Sequence, residues 1–291
     1  MTVTITPLTP GFAGEVGPID LRKVRDRETL EAIRAGMDKY AVLVFRDQDF
    51  TNDEQLDFAQ RFDGTLHART SSAAISGNRF GNEALADVSN VGADGKIRSA
   101  DDRKRASAVA NRLWHTDASF VDPPGRYSML SARVVPPVRA DTEFADMRAA
   151  YDALDAETRA TVEGLRVHHT IVHSRHVLGF DFSDDEKEKL KGADHPLVRT
   201  IPTSGRKALY LASHAEHVVG WPVPEGRLLL TDLMAHATQK PFTYQHVWRP
   251  HDFVIWDNRC TMHRARPFDD QKHRRELRRT TSLDLPLPAT A

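Results

Sequence analysis

A single cysteine, Cys260, stands among 291 residues. No internal disulfide framework is open to such a chain, and it reads as a protein kept in a reducing, cytoplasmic setting. Net charge is almost absent as well: 40 Lys and Arg face 41 Asp and Glu, leaving −1. Without a global basic field there is no electrostatic footprint for nucleic acid or an anionic membrane. No apolar run approaches the roughly 20 residues of a membrane span, and the N-terminus has no leader pattern. Internal repeats, low-complexity tracts and linkers are missing too. What remains is a chain with 40% hydrophobic residues, enough for a sizeable core and expected to form one domain over residues 1–291. A small-molecule partner fits this composition, and a homo-oligomer is compatible with it.

Strands and helices are expected to alternate. Residues 28–40 place Leu30, Ile33 and Met37 at helical spacing. Residues 41–45 (AVLVF) read as a buried strand, and Thr51 with Glu54 forms a capping box that opens a helix through Phe62. Residues 65–110 are polar and charged, interrupted by one strand near 84–91, and suit a lid contributing basic residues such as Lys96. Strands are expected at 127–135, 141–144, 242–248, 253–256 running on to His263, and 275–283, with a hairpin over 195–211. Two helices are expected over 147–164 and one from Pro224 to about His236. Residues 165–195 give no readable pattern. Strands concentrated around two ligand stretches, with helices inserted between, suggest an α+β fold with a mainly β core, a double-stranded β-helix or jelly roll.

The chemistry centres on Trp114-His115-Thr116-Asp117. On extended backbone, residues i and i+2 share a face, so an imidazole and a carboxylate emerge together. A third ligand completes the two-His-one-carboxylate facial triad, which holds Fe(II) on one octahedral face and leaves three positions open. His263, at the end of the apolar run 253–256, is the candidate.

Thr142 follows Asp117 by 25 residues, and four arginines, Arg274, Arg275, Arg278 and Arg279, begin 11 residues beyond His263. This arrangement resembles the Fe(II)- and 2-oxoglutarate-dependent dioxygenases of the taurine dioxygenase type. Residues 41–46 (AVLVFR), 113–117 (LWHTD), 126–131 (RYSMLS), 141–144 (DTEF), 146–154 (DMRAAYDAL), 205–207 (GRK), 256–260 (WDNRC) and 274–279 (RRELRR) are similar to members that act on phenoxyacetic acids. The likeness spans nearly the whole chain. It implies Fe(II), 2-oxoglutarate and O2, with ascorbate as a supporting reductant. It implies His115, Asp117 and His263 as iron ligands and as the catalytic centre. Thr142 and Arg275 would bind 2-oxoglutarate. Arg279 would bind the substrate's acid group, with Asn111 near the substrate; Lys96 is a substrate-binding candidate from the lid reading alone. The arginine pair is Arg275 and Arg279 if residues 267–273 carry one extra residue, and otherwise Arg274 and Arg278. His67 is near a substrate-contacting position, but residues 62–66 (FDGTL) depart from the family's pattern.

The implied reaction hydroxylates a phenoxyacetic acid such as 2,4-dichlorophenoxyacetate beside its carboxylate. The product hemiacetal collapses to a phenol and glyoxylate, while 2-oxoglutarate becomes succinate and CO2. The alternatives are a sulfonate or alkyl sulfate substrate in the same site, or a non-catalytic jelly-roll binding module. His168, His169, His173, His176, His214 and His217 cluster without zinc spacing and are expected to be structural or exposed.

Overall fold

Residues 3–68 and 79–286 are described by the computed structural model. Part of the expected lid, residues 69–78, lies outside them.

The chain opens with a hairpin, β1 (Ile5–Thr9) and β2 (Phe12–Val16). Asp26 caps α1 (Arg27–Tyr40) by accepting from the Thr29 amide at 2.9 Å. The helix buries Leu30, Ile33 and Met37 as its spacing predicts. It leads into β3 (Val42–Phe45), all four residues of which are buried. β3 sits inside a sheet covered on both faces, so its run is continuously apolar rather than alternating. The Thr51–Glu54 capping box then starts α2 (Asn52–Asp63).

β4 (Ala86–Ser89) and the short α3 (Arg103–Ala108) interrupt the polar stretch. The long β5 (Gly125–Val134) follows, then β6 (Thr142–Asp146), α4 (Met147–Asp152) and α5 (Ala156–Val162). The stretch with no readable pattern resolves into β7 (Arg166–His169), α6 (Ile171–His176) and α7 (Asp184–Lys189). β8 (Ala193–Pro196), β9 (Val198–Thr200), β10 (Lys207–Leu209) and β11 (Ala215–Val218) come next. α8 (Val223–Ala237), β12 (Thr243–His246), β13 (Phe253–Asp257), β14 (Thr261–Ala265) and β15 (Glu276–Leu283) finish the chain.

Seven strands form one sheet in the order β1-β2-β3-β13-β5-β15-β4, and three form another in the order β12-β6-β14. Of the strand pairs in both sheets, β2–β3 alone is parallel. Two smaller sheets, β11-β7-β8 and β10-β9, flank them. The late histidine strand is thus not one strand running on from residue 253. The chain leaves the seven-stranded sheet at Asp257, turns through residues 258–260, and enters the three-stranded sheet as β14. The turn is self-bonded: the Asp257 carboxylate accepts from the Arg259 amide at 2.9 Å, and the Asn258 amide group donates to Ser128 Oγ at 3.0 Å. This crossing places His263 in the sheet that holds Thr142, while Arg279 stays in the large sheet. No described helix is long and apolar enough to cross a membrane.

Candidate active site

The early and late histidines meet through backbone. The His115 amide donates to the His263 carbonyl at 3.0 Å and the His263 amide returns the bond at 2.8 Å. This isolated antiparallel bridge is all the strand that residues 115–117 form. Asp117 already lies in a turn, its amide held by Asn258 Oδ1 at 3.1 Å. The Thr116 hydroxyl points the other way, donating to the Leu211 carbonyl at 2.8 Å. The i, i+2 relation therefore holds across a bridge and a turn rather than along a strand.

His115, Asp117 and His263 are buried and offer three donor atoms within 4.8 Å of one another. Among the described residues they are the group able to hold a metal ion. His115 Nε2 is 3.9 Å from Asp117 Oδ1, and His263 Nε2 is 3.6 Å from Oδ2. His115 Nδ1 lies 2.8 Å from the Leu113 carbonyl. That acceptor requires the proton on Nδ1 and leaves the Nε2 lone pair facing the triad, the orienting device usual for ligating histidines. The His263 ring is wedged against Trp256 at 4.6 Å and His115 at 4.1 Å. Asp117 accepts from Ser128 Oγ at 2.7 Å on one oxygen and from Arg279 on the other.

The protonation states suit a cation. Burial pushes His115 down to about 4 against the pull of Asp117. It drives His263 well below the ordinary imidazole range, with His115 adding to the shift. For Asp117, burial raises the carboxyl, but Arg279, His263 and His115 together outweigh it and hold it at about 2. Two neutral imidazoles and one carboxylate, gathered with their lone pairs inward, are the donor set that a ferrous ion with open positions takes.

A cavity opens beside the triad, and both His115 and Asp117 line it. Arg275 and Arg279 line it as well; Arg274 and Arg278 do not. Arg275 is buried and its Nε has no hydrogen-bond partner among the described residues. Burial lowers this guanidinium to about 10, with Asp141 pulling the other way. Thr142 lies on β6 opposite Ala265 and is not among the lining residues. Its hydroxyl oxygen accepts from Trp248 Nε1 at 3.0 Å, so its own proton is free to be donated. Asn111 lines the cavity, and His67 does too.

Lys96 is a correction. It is exposed and absent from the lining, because a tight turn uses it: its amide donates to Asp94 Oδ1 at 3.1 Å and its carbonyl accepts from Gly92. The basic residues that reach the cavity from this stretch are Arg98, Lys104 and Arg105. Burial lowers the Lys104 amine, with Asp87 opposing. His214 is buried and hydrogen-bonded through both ring nitrogens, as expected of a structural histidine. It lines the cavity with its ring 5.1 Å from Phe120, edge to face. Arg175 and Ile171, one turn apart on α6, also line it. A Thr170 cap followed by an i, i+4 pair was the signal available for them, in a stretch too short to show a helical period.

Residues 4–281 match the model of the family described as Taurine catabolism dioxygenase TauD, TfdA family. An alpha-ketoglutarate-dependent 2,4-dichlorophenoxyacetate dioxygenase of Cupriavidus pinatubonensis is 48% identical over 98% of this chain and 99% of that relative. One of the same description from a Burkholderia species is 44% identical over 97% and 95%. The crystal structure of AAD-2 in complex with Mn(II) and N-oxalylglycine superposes with a TM-score of 0.94 at 47% identity, covering 99% of each chain. With the triad, the buried arginine and the cavity between them on these similar backbones, the chain belongs to the TauD/TfdA family of dioxygenases.

Proposed function

We propose that this protein is the Fe(II)- and 2-oxoglutarate-dependent dioxygenase of a phenoxyacetic acid such as 2,4-dichlorophenoxyacetate, hydroxylating the carbon beside the carboxylate. The reading carries over the activity named for the relatives at 48% and 44% identity. The single observation that supports it most is a buried guanidinium, Arg275, whose Nε has no hydrogen-bond partner among the described residues, lining the same cavity as His115 and Asp117 of the gathered donor set. We read the seven-stranded and three-stranded sheets as the two walls of a jelly roll, and the chain as one domain.

His115, Asp117 and His263 would hold the iron. When bound with 2-oxoglutarate and O2, the iron supplies an oxidant that takes one C–H hydrogen and returns hydroxyl, while the cosubstrate loses CO2 and becomes succinate. The chain's own residues set the geometry. The Leu113 carbonyl fixes the His115 tautomer, and Ser128 and Arg279 hold the Asp117 oxygens. Arg275 would grip the far carboxylate of 2-oxoglutarate, where a planar fork in a dry site gives two charge-assisted hydrogen bonds. Thr142 would add a hydroxyl donor. N-oxalylglycine differs from 2-oxoglutarate by one NH in place of CH2, so the complex named for the similar structure supports that assignment. Arg279 and Asn111 are assigned to the substrate's acid end. Ile171, Phe120 and Phe268 supply apolar surface for an aryl ring. Fixing the acid end decides which carbon meets the oxidant, and such positioning is what makes abstraction selective.

The test is a panel of acids with Fe(II), 2-oxoglutarate and ascorbate, scored by succinate release and oxygen uptake. Phenol release from 2,4-dichlorophenoxyacetate is expected. Turnover of taurine or an alkyl sulfate with none of any phenoxyacid overturns the substrate assignment. No oxygen uptake with every acid overturns the enzyme reading.

A further inference from the structure

Arg175 is one of the most deeply placed charges in the cavity wall. It stands on α6, 5% exposed, beside His115, Asn111 and His214. A buried guanidinium ordinarily has a carboxylate partner, because leaving the charge uncompensated costs several kcal/mol. Among the described residues, its hydrogen bonds go to neutral acceptors alone. Nη1 donates to Ser174 Oγ at 2.9 Å and to His214 Nε2 at 3.2 Å. Nη2 donates to Asn111 Oδ1 at 3.3 Å.

The His214 contact fixes more than distance. A guanidinium only donates, so His214 Nε2 accepts and the ring proton sits on Nδ1. Nδ1 then donates to Ser119 Oγ at 3.1 Å, and that hydroxyl donates to His169 Nδ1 at 3.2 Å. The chain of neutral groups positions the arginine and cancels none of its charge. The carboxylate whose charge reaches it is Asp117, whose oxygens are already taken by Arg279 and Ser128.

Counting donors completes the argument. Of five guanidinium protons, three are used. Nε is buried with no partner, and Nη2 has one proton left. Nε and Nη2 share an edge, and that edge takes a carboxylate side-on with two parallel bonds. Arg279 also has a buried Nε without a partner among the described residues, but its Nη1 is paired with a carboxylate, Asp117, which Arg175 lacks.

We propose that Arg175 is a second anchor for the anionic group of the substrate, acting with Arg279 and selecting acids over their neutral analogues. The proposal rests on the functional reading above and deepens it: a substrate anion becomes the counter-charge that the described residues leave out. Arg275 serves the cosubstrate, so its affinity for 2-oxoglutarate is independent of Arg175.

The experiment is calorimetry on the protein loaded with Mn(II) and 2-oxoglutarate, which binds without turnover. The probes are 2,4-dichlorophenoxyacetate, its primary amide and hexyl sulfate. Wild type is expected to bind the acid far more tightly than the amide. In Arg175→Gln the Kd for the acid rises ~30-fold or more, the scale of losing one desolvated charged pair. The Kd for the amide, and that for 2-oxoglutarate titrated separately into the protein loaded with Mn(II) alone, change less than about threefold. Arg175→Lys keeps charge but loses the fork; if Arg175→Gln does not fold, this variant carries the test, with intermediate weakening expected for the acid alone. Unchanged acid-over-amide preference in the folded variant overturns the proposal. If wild type ignores the phenoxyacid but binds hexyl sulfate, the functional reading falls. Arg175 is then judged on the sulfate: weakening in Arg175→Gln sustains the anchor, and an unchanged Kd overturns it. Binding of no anion by wild type overturns both.

Discussion

On β15, Arg278 meets Glu276 at 2.7 Å and Asp87 at 3.5 Å, and its guanidinium stacks 4.1 Å from the Phe80 ring. Arg274 shares the same Glu276, and so does Arg79 at 2.9 Å. One residue further along from Arg274 and from Arg278 the setting inverts. Arg279 shares Asp117 with the metal-ligand cluster, and Arg275 has no partner for Nε. Four arginines of the same chemistry, within six residues, divide into a matched face held by Glu276 and Asp87 and an unmatched, cavity-lining face that is short of carboxylate among the described residues, its one ion-pair partner, Asp117, being shared with the ligand cluster. Alternation across a strand makes this division cheap to encode. The matched face serves stability. The unmatched face is an arrangement that folding energy alone would not favour, and it makes sense when anions arrive from outside.

The comparison breaks first at Asp117, where the two uses of charge meet. Asp117→Ala removes a metal ligand and strands Arg279 without a carboxylate. Turnover should fall at least ~10³-fold, a loss of about 4 kcal/mol in transition-state stabilisation. Equilibrium dialysis against Fe(II) or Mn(II) should show the metal site lost. Retained metal binding would separate Asp117 from the ligand set. Arg275→Ala should be next in size. Its expected effect is a KM for 2-oxoglutarate raised by ~30-fold or more, matching the 2–5 kcal/mol of a truncated buried charge pair. Its thermal midpoint should hold or rise, because an uncompensated buried charge has gone. If Arg274→Ala raises that KM and Arg275→Ala does not, the two faces have been assigned the wrong way round.

How much of this was legible in the sequence follows the same division. Helical spacing exposed α1, a capping box opened α2, and continuous apolar runs exposed β3 and β13, because each of these signals is local. Spacing also set His115 beside Asp117, since that relation is local. The joining of His115 to His263 is a backbone bridge across 148 positions of chain, and nothing local encodes it; family resemblance supplied it. The turn at residues 258–260 follows the apolar run 253–256 directly, and its polar groups, Asp257 and Asn258, are buried and hydrogen-bonded within the protein rather than set out in an exposed loop. Lys96 misled because a charge in a polar loop carries no mark of which way it faces. Arg175 and His214 lay in the unreadable segment and in a histidine cluster, where six-residue helices and three-residue strands are too short for any period to register.

Arg278→Ala tests the matched face from the other side. Glu276 keeps Arg274 and Arg79, and Asp87 keeps Arg79 at 2.7 Å, so the loss should be ~1–3 kcal/mol by chemical denaturation. The KM for 2-oxoglutarate should not move, and a rise would mean that the faces communicate.

The smallest effect concerns acid. Burial raises the Glu276 carboxyl, but Arg278, Arg274 and Arg79 outweigh it and bring it to about 2. A carboxylate depressed on folding contributes stability that is complete above its unfolded value near ~4.3 and is lost as pH falls toward its folded value. Glu276→Gln should therefore be less stable than wild type at neutral pH. The gap, read from urea midpoints, should stay constant down to about pH 5 and narrow steadily as acid is added below that. A gap that widens on acidification would mean that the three arginines do not hold Glu276 ionised, and the contrast between the faces of β15 would lose its electrostatic basis.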